Sequence, residues 1–157
     1  MKKLLLMITL PLILVACNST SGLQKFNNDE LSNKTEDLAF NPQLPTELPF
    51  EVERAEFSHP PKVQQPYKTL TFDFYGETKE HLSLLTVNGG DVSSTSQEDY
   101  QDVQIEDKSG KYFVDSSGTK TLRWKEGKIH YVLKYFAEQS ETKVEKNDLI
   151  EAAESFK

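Results

Sequence analysis

The segment at residues 122–136 reads LRWKEGKIHYVLKYF, and it predicts the architecture of the chain. Apolar and polar side chains alternate in it on both sides of Gly127. The second run places on one face Ile129, Tyr131, Leu133 and Tyr135. Period-two alternation indicates strands with two unlike faces, and a glycine between two such runs indicates a hairpin. We therefore expect an antiparallel hairpin here.

The same alternation continues upstream over several short runs that are separated by turn residues. They lie at residues 50–57, 69–75, 82–87, 103–105 and 112–114. Asn88-Gly89 is a strong turn pair between two of them. Together with the hairpin, these runs predict an antiparallel meander sheet of about six to seven strands.

The period changes near the C-terminus. Apolar residues recur there at helical spacing, namely Val144, Leu149, Ala152, Ala153 and Phe156. Thr142 and Glu145 have the spacing of a capping box. A helix of about twelve residues is too short to be stable alone, so we expect it to pack on the sheet. Strands followed by one C-terminal helix predict an α+β domain over residues 44–157.

Two segments of different composition precede the strands. Residues 17–43 are rich in Asn, Ser, Thr, Lys, Asp and Glu, and we expect a flexible tether there, with a weak helix from Asp29 to Phe40. Residues 41–49 carry three prolines with two leucines between them. That pattern favours an extended arm that packs on the edge of the domain.

The first residues read MKKLLLMITLPLILVACNST and predict export. Their apolar run is shorter than the roughly 20 residues of a spanning helix, and Pro11 interrupts it. We interpret residues 1–16 as a removable signal peptide. The motif LVAC, which ends at Cys17, resembles the lipobox of bacterial lipoprotein precursors. That resemblance implies a diacylglyceryl group on the Cys17 sulfur and an extracytoplasmic, membrane-anchored product. The alternatives are an ordinary secretory signal and a weak anchor helix.

A second resemblance covers residues 44–156. The segments LRWKEGKIHY (122–131) and DLIEAAESF (148–156), with the arm LPTELPF (44–50), resemble a domain of unknown function. That domain occurs in Gram-positive lipoproteins and in extracytoplasmic parts of anti-sigma-factor-like proteins. The resemblance implies a fold and a location, and it brings no catalytic residues.

Charge and cysteine content exclude several functions. The chain has 25 acidic against 18 basic residues, and loss of Lys2 and Lys3 with the signal changes its formal charge from −7 to −9. Such a surface disfavours nucleic acid and anionic lipid headgroups as partners, so the acyl chains should provide membrane attachment. Because Cys17 is the only cysteine, acylation would leave the domain without disulfides or a thiol nucleophile.

No spacing of residues singles out a metal site or a catalytic site. The three histidines form no ligand motif, and we expect no metal and no cofactor. The acidic loop at residues 91–107 is the best calcium candidate, but it lacks the pattern of a calcium-binding loop. We interpret it as a solvated loop.

Aromatic side chains are the remaining candidates for ligand contact. The set comprises Phe72, Phe74, Phe113, Trp124, Tyr131 and Tyr135. We expect Phe72, Phe113 and Tyr131 to form the core. Trp124 and Tyr135 are the candidate ligand-contact residues, because side chains with an apolar body and a polar group often lie at a rim.

These observations predict a lipid-anchored, non-enzymatic binding or accessory module at the cell envelope. Its partner would be a protein or an envelope polymer. The alternative is a lipid or lipoprotein carrier that holds an apolar ligand between sheet and helix, and an enzyme is the least favoured reading.

Overall fold

The computed structural model describes residues 22–38, 40–59, 68–90 and 99–157. Within these ranges the chain forms β1 (Gln24–Lys25), α1 (Asp29–Thr35), β2 (Glu47–Leu48), β3 (Arg54–Ser58), β4 (Thr69–Tyr75), β5 (His81–Asn88), β6 (Gln101–Ile105), β7 (Lys108–Val114), β8 (Lys120–Glu126), β9 (Ile129–Tyr135), a 3₁₀ helix (Ala137–Gln139) and α2 (Lys146–Glu154). No helix in the described ranges is long and apolar enough to cross a bilayer. Cys17 lies outside them.

Seven strands form one antiparallel sheet in the order β3-β4-β5-β9-β8-β7-β6. The predicted α+β architecture, an antiparallel sheet packed by a C-terminal helix, is confirmed. The strand order adds one feature to the prediction. Two meanders, β3 to β5 and β6 to β9, are joined where β5 pairs with β9, with Leu84 opposite Leu133.

One face of the large sheet carries the core, and we call it the covered face. Its buried side chains include Leu70, Phe72, Phe74, Leu82, Leu84, Leu122, Trp124, Tyr131, Leu133 and Tyr135. α1, the proline-containing arm and α2 cover this face with Leu31, Leu44, Leu48 and Leu149, which are all at most 2% exposed. Removal of this apolar surface from water is the main force that holds the two layers together.

The prediction of a flexible tether up to residue 43 is wrong for the described part of that segment. β1 pairs with β2, and the ring of Phe26 meets Phe74 edge-on at 5.3 Å between ring centres. Leu31 of α1 is buried in the core. A polar segment docks here through a few apolar side chains because the sheet provides the complementary surface, which local composition does not reveal.

The proline-containing arm contacts both α1 and α2, and it buries Leu44 and Leu48 on the covered face rather than packing on the edge of the domain as predicted. Leu44 and Lys157 exchange two backbone hydrogen bonds, with N···O distances of 3.2 and 3.1 Å. The Oγ of Ser155 accepts hydrogen bonds from the backbone N–H groups of Thr46 and Glu47 at 3.2 and 3.1 Å. These contacts attach the arm to the C-terminal end of α2.

The N-terminus of α2 lies three residues later than the predicted capping box. Glu145 is the N-cap residue, and its backbone N–H donates to the Asp148 carboxylate at 2.6 Å. The predicted box of Thr142 and Glu145 is therefore wrong. The reason is tertiary, because the hydroxyl of Thr142 donates to the carboxylate of Glu80 in the turn before β5.

Candidate functional site

The second face of the sheet carries no helix or strand from the described part of the chain, and we call it the open face. Alternation places Arg123 and Lys125 of β8 and His130 and Val132 of β9 on this face. The register of the hairpin sets Arg123 opposite Val132 and Lys125 opposite His130. Four side chains of different chemistry thus occupy neighbouring positions on two rigid central strands.

A depression of about 510 Å³ opens on the open face across β7, β8 and β9. Its lining includes Tyr100, Asp102, Lys111, Arg123, Lys125, His130 and Val132. Three cations and one carboxylate give this lining a formal charge of +2 with His130 neutral. Because the whole chain carries −7, the local sign is opposite to that of the protein. We call this feature the cationic depression.

Two nitrogen atoms in the cationic depression have no hydrogen-bond partner among the described residues. They are Nε of Arg123 and Nε2 of His130, and both atoms are buried. The Arg123 nitrogen is always a donor, whereas the histidine nitrogen donates in one neutral tautomer and in the imidazolium. A buried donor without an acceptor costs free energy. Because neither atom is accessible to solvent, a ligand acceptor reaches them only when neighbouring side chains move aside.

The other charges of the depression have only weak partners. Lys111 Nζ lies 3.7 Å from an oxygen of Asp102, and both side chains are more than half exposed. The guanidinium carbon of Arg123 lies 5.3 Å from the ring centre of Tyr100. An exposed ion pair of this kind contributes little to stability, so an anionic ligand could displace it at small cost.

Trp124 and Tyr135, the predicted ligand-contact residues, do not lie at a rim. Trp124 is 5% exposed, and its ring stacks on Tyr131 at 5.0 Å and meets Phe156 edge-on at 5.1 Å. Trp124 is also one of the residues that line the cationic depression. Tyr135 is fully buried, and its hydroxyl donates to the backbone oxygen of Thr142 at 2.6 Å. The rim placement is wrong because both polar groups belong to side chains that fill the covered face.

Of the three aromatic residues expected in the core, two are buried there and one is not. Phe72 and Tyr131 are buried as predicted. Phe113 is only half buried and lies on the open face, 5.5 Å from the ring of Tyr100, so its core assignment is wrong. The register of β7 explains this, because Gly110 lies opposite Trp124 and therefore turns Tyr112, rather than Phe113, toward the core.

The helix–sheet interface is packed where the carrier hypothesis expects a cavity. Leu149 and Ala153 are at most 3% exposed. Phe156 meets the rings of both Trp124 and Tyr131 edge-on. These contacts fill the space between α2 and the sheet, which argues against an acyl chain bound there.

Much of the predicted acidic loop, residues 91–98, lies outside the described residues. In its described part, Glu106 and Asp107 lie 3.5 and 3.9 Å from the ammonium nitrogen of Lys108. No group of three or more His, Cys, Asp or Glu side chains in the described ranges is close enough to hold a metal ion.

A second hollow, of about 470 Å³, lies near the opposite ends of β8 and β9. His81 borders it and stacks between Tyr75 and Phe136, at 4.6 Å from each ring centre. Its Nε2 atom lies 3.0 Å from a carboxylate oxygen of Asp73. Since the chain itself provides these partners, the hollow offers a ligand fewer unpaired groups than the cationic depression does.

Glu80 is the only buried acidic side chain in the described ranges, and its role is structural. It accepts hydrogen bonds from the backbone N–H of Thr78 at 2.8 Å and from the hydroxyls of Thr78 and Thr142. Burial alone would raise the pKa of Glu80. The hydrogen bonds outweigh that effect, so the pKa lies below its ordinary value of 4.5. The carboxylate thus connects the β4–β5 turn to the segment before α2.

Sequence reasoning missed the cationic depression, although one signal for it was present. Only Gly127 and Lys128 separate β8 from β9, and that short turn sets the register that brings Arg123, Lys125 and His130 together. The position of Lys111 depends on the pairing of β7 with β8, and that of Tyr100 depends also on the pairing of β6 with β7, so neither could be found in this way.

Comparisons of the chain with protein-family models, with curated proteins and with solved structures gave no match. The lipobox at Cys17 and the resemblance over residues 44–156 remain predictions.

Proposed function

We propose that this chain is a lipid-anchored extracytoplasmic protein that acts as a non-catalytic binding module at the cell envelope. Its binding surface is the open face of the seven-stranded sheet. The observation that carries the proposal is the cationic depression, which combines a concave shape with the unpaired nitrogens of Arg123 and His130. Binding sites are typically concave and contain a few convergent polar groups.

The position of the predicted anchor agrees with this assignment. The described chain begins at Gly22, five residues after Cys17, and five residues span at most about 18 Å. β1 and Phe26 belong to the layer over the covered face. An acylated Cys17 would therefore hold the domain close to the bilayer from its covered side and leave the open face accessible.

A charge reversal on the open face tests the binding surface. The full chain, purified in detergent, is sedimented with isolated envelope material from which lipid has been extracted. We expect Lys125→Glu to reduce the bound fraction about tenfold, the usual effect of losing one charged hydrogen bond. Lys25→Glu is the matched control, because it makes the same charge change at an exposed residue of β1 on the covered side.

Two results would contradict the proposal. Equal retention of the Lys125→Glu and Lys25→Glu variants would place the binding surface elsewhere. Failure of the unaltered chain to sediment with envelope material would remove the envelope as the source of the ligand.

A further inference from the structure

We infer that the cationic depression binds a phosphate monoester group on a non-lipid component of the envelope. This inference rests on the proposed function and names the ligand class of the same site. The first argument is charge. The lining carries a formal +2 from Lys111, Arg123, Lys125 and Asp102, and a phosphate monoester carries about −1.5 to −2 at neutral pH. A carboxylate would leave about one positive charge uncompensated.

The second argument is the arrangement of the donors. Arg123 and Lys125 are two residues apart on one face of β8, and His130 lies opposite Lys125 on β9. Neighbouring strands are about 4.8 Å apart, so these side chains can converge on one group. The guanidinium fork matches the spacing of phosphate oxygens. Its buried Nε atom is a donor without a partner among the described residues, and Nε2 of His130 is a second one in the tautomer that carries its hydrogen there.

The third argument is size. A volume of about 510 Å³ exceeds what one phosphate group fills. The ring of Tyr100 supplies apolar surface beside the cations, whereas Val132 lines the depression but is only 3% exposed. We therefore assign the remainder of the depression to the organic part of the ligand, which would lie against the ring of Tyr100 while the phosphate contacts Arg123.

The charge of the whole chain disfavours a phosphate that is carried by a membrane lipid. Attraction to an anionic bilayer surface requires a cluster of Lys and Arg. Here three cations lie within a chain whose formal charge is −7. A membrane surface would meet that overall negative charge, whereas a single phosphate group on a non-lipid component can enter the depression alone.

Phenyl phosphate is a suitable probe because it joins a monoester to an apolar ring. It is titrated against the full chain in detergent while the fluorescence of Trp124 is recorded, since Trp124 is the only tryptophan and borders the depression. We expect saturation at one ligand per chain. Benzoate, with one charge, should bind at least about tenfold more weakly. The Arg123→Gln substitution should reduce the affinity for phenyl phosphate by about tenfold or more.

The matched control is Lys134→Gln, which removes a cation from the open face of β9 outside the depression. It should leave the affinity unchanged. If Arg123→Gln fails to fold, as judged by circular dichroism, Lys125→Gln replaces it, because Lys125 is exposed. Vesicles of phosphatidylcholine with and without an equal amount of phosphatidic acid test the lipid source. The acyl anchor should hold the chain to both kinds of vesicle, and we expect phosphatidic acid to add no binding.

Four results would overturn the inference: no saturation by phenyl phosphate, equal affinity for benzoate, equal loss of affinity in the Arg123→Gln and Lys134→Gln variants, or stronger binding to the vesicles that contain phosphatidic acid. The sedimentation experiment separates the two proposals. Retention on envelope material without affinity for phenyl phosphate refutes the ligand class and leaves the binding function in place. If the unaltered chain shows neither retention on envelope material nor affinity for phenyl phosphate, the proposed function is refuted as well.

Discussion

Glu80 illustrates, at the scale of one residue, how a buried charge can be stabilised without a cation. Its carboxylate is 5% exposed and accepts hydrogen bonds from Thr78 and Thr142. Close packing reinforces the arrangement, because a Cβ atom at Gly76 would lie 2.6 Å from a Glu80 oxygen and 3.1 Å from the backbone oxygen of Glu51. The position therefore requires both the acid and the adjacent glycine.

We expect Glu80→Gln to destabilise the protein at pH 7 by about 1–3 kcal/mol, since the amide cannot accept all the hydrogen bonds that the buried carboxylate receives. Urea unfolding followed by circular dichroism measures the change. Glu77→Gln is the control, because Glu77 is exposed in the same turn. If the two variants unfolded at the same urea concentration, the stabilising role of Glu80 would be wrong.

The pH dependence of this difference follows from the lowered pKa of Glu80. Because the folded-state pKa lies below the ordinary value of 4.5, the folded state holds its proton less tightly than the unfolded chain does. The stabilisation is therefore complete above that ordinary value and is lost as the pH falls through the folded-state value. The difference in unfolding free energy between the original chain and the Glu80→Gln variant should therefore become smaller in acid.

At the scale of elements, α1 shows that a short helix can belong to the core. It has seven residues and is too short to be stable alone. Leu31 places it in the core cluster, and the amide of Asn28 donates to the backbone oxygens of Leu44 and Pro45 at 3.2 and 3.1 Å. The helix therefore depends on the arm and the sheet, and the arm depends on α1 and α2.

Leu31→Ala tests this account of the N-terminal segment. Because Leu31 is 2% exposed, its truncation should cost about 2–5 kcal/mol of unfolding free energy. Asn33→Ala is the control within α1, since Asn33 is exposed. Thermal unfolding compares the two variants. A Leu31→Ala protein that melted at the same temperature as the original chain would instead support the prediction of a flexible tether.

At the scale of the whole molecule, the two faces of one sheet divide stability and function. α1 and α2 pack on the covered face through Leu31 and Leu149, and the cationic depression lies on the open face. In the proposed function, the short connection from Gly22 to Cys17 keeps the covered side toward the bilayer. The anchor is the part of that arrangement which can be removed by one substitution.

Cys17→Ala should abolish labelling by a radioactive fatty acid in growing cells. It should also leave a precursor that is longer than the mature protein by the 16-residue signal, because the resemblance to lipoprotein precursors implies cleavage only after acylation. Ser21→Ala, four residues further on, should be labelled and processed normally. A Cys17→Ala protein of mature size would refute the lipobox, whatever the open face binds.

Much of the fold was predictable because period-two alternation is a local property. The segment at residues 69–75 was predicted as a strand, and β4 has those bounds. Alternation shows which residues share one face of a strand. It does not show which of the two faces is buried or which side chains pack against it. Phe113 was assigned to the core on hydrophobicity alone, and the pairing of Gly110 with Trp124 turns it to the opposite face.

The sequence by itself therefore determined the α+β class, the hairpins, the amphipathic stripe of α2 and the acidic surface, because alternation, turn chemistry and charge act between near neighbours in the chain. Only the tertiary structure decided that β5 pairs with β9, that residues 22–38 pack on the sheet, and that Lys111 joins Arg123 and His130 in one depression. Those contacts join residues far apart in sequence. Their free energy comes from surfaces that become complementary only when the sheet has formed.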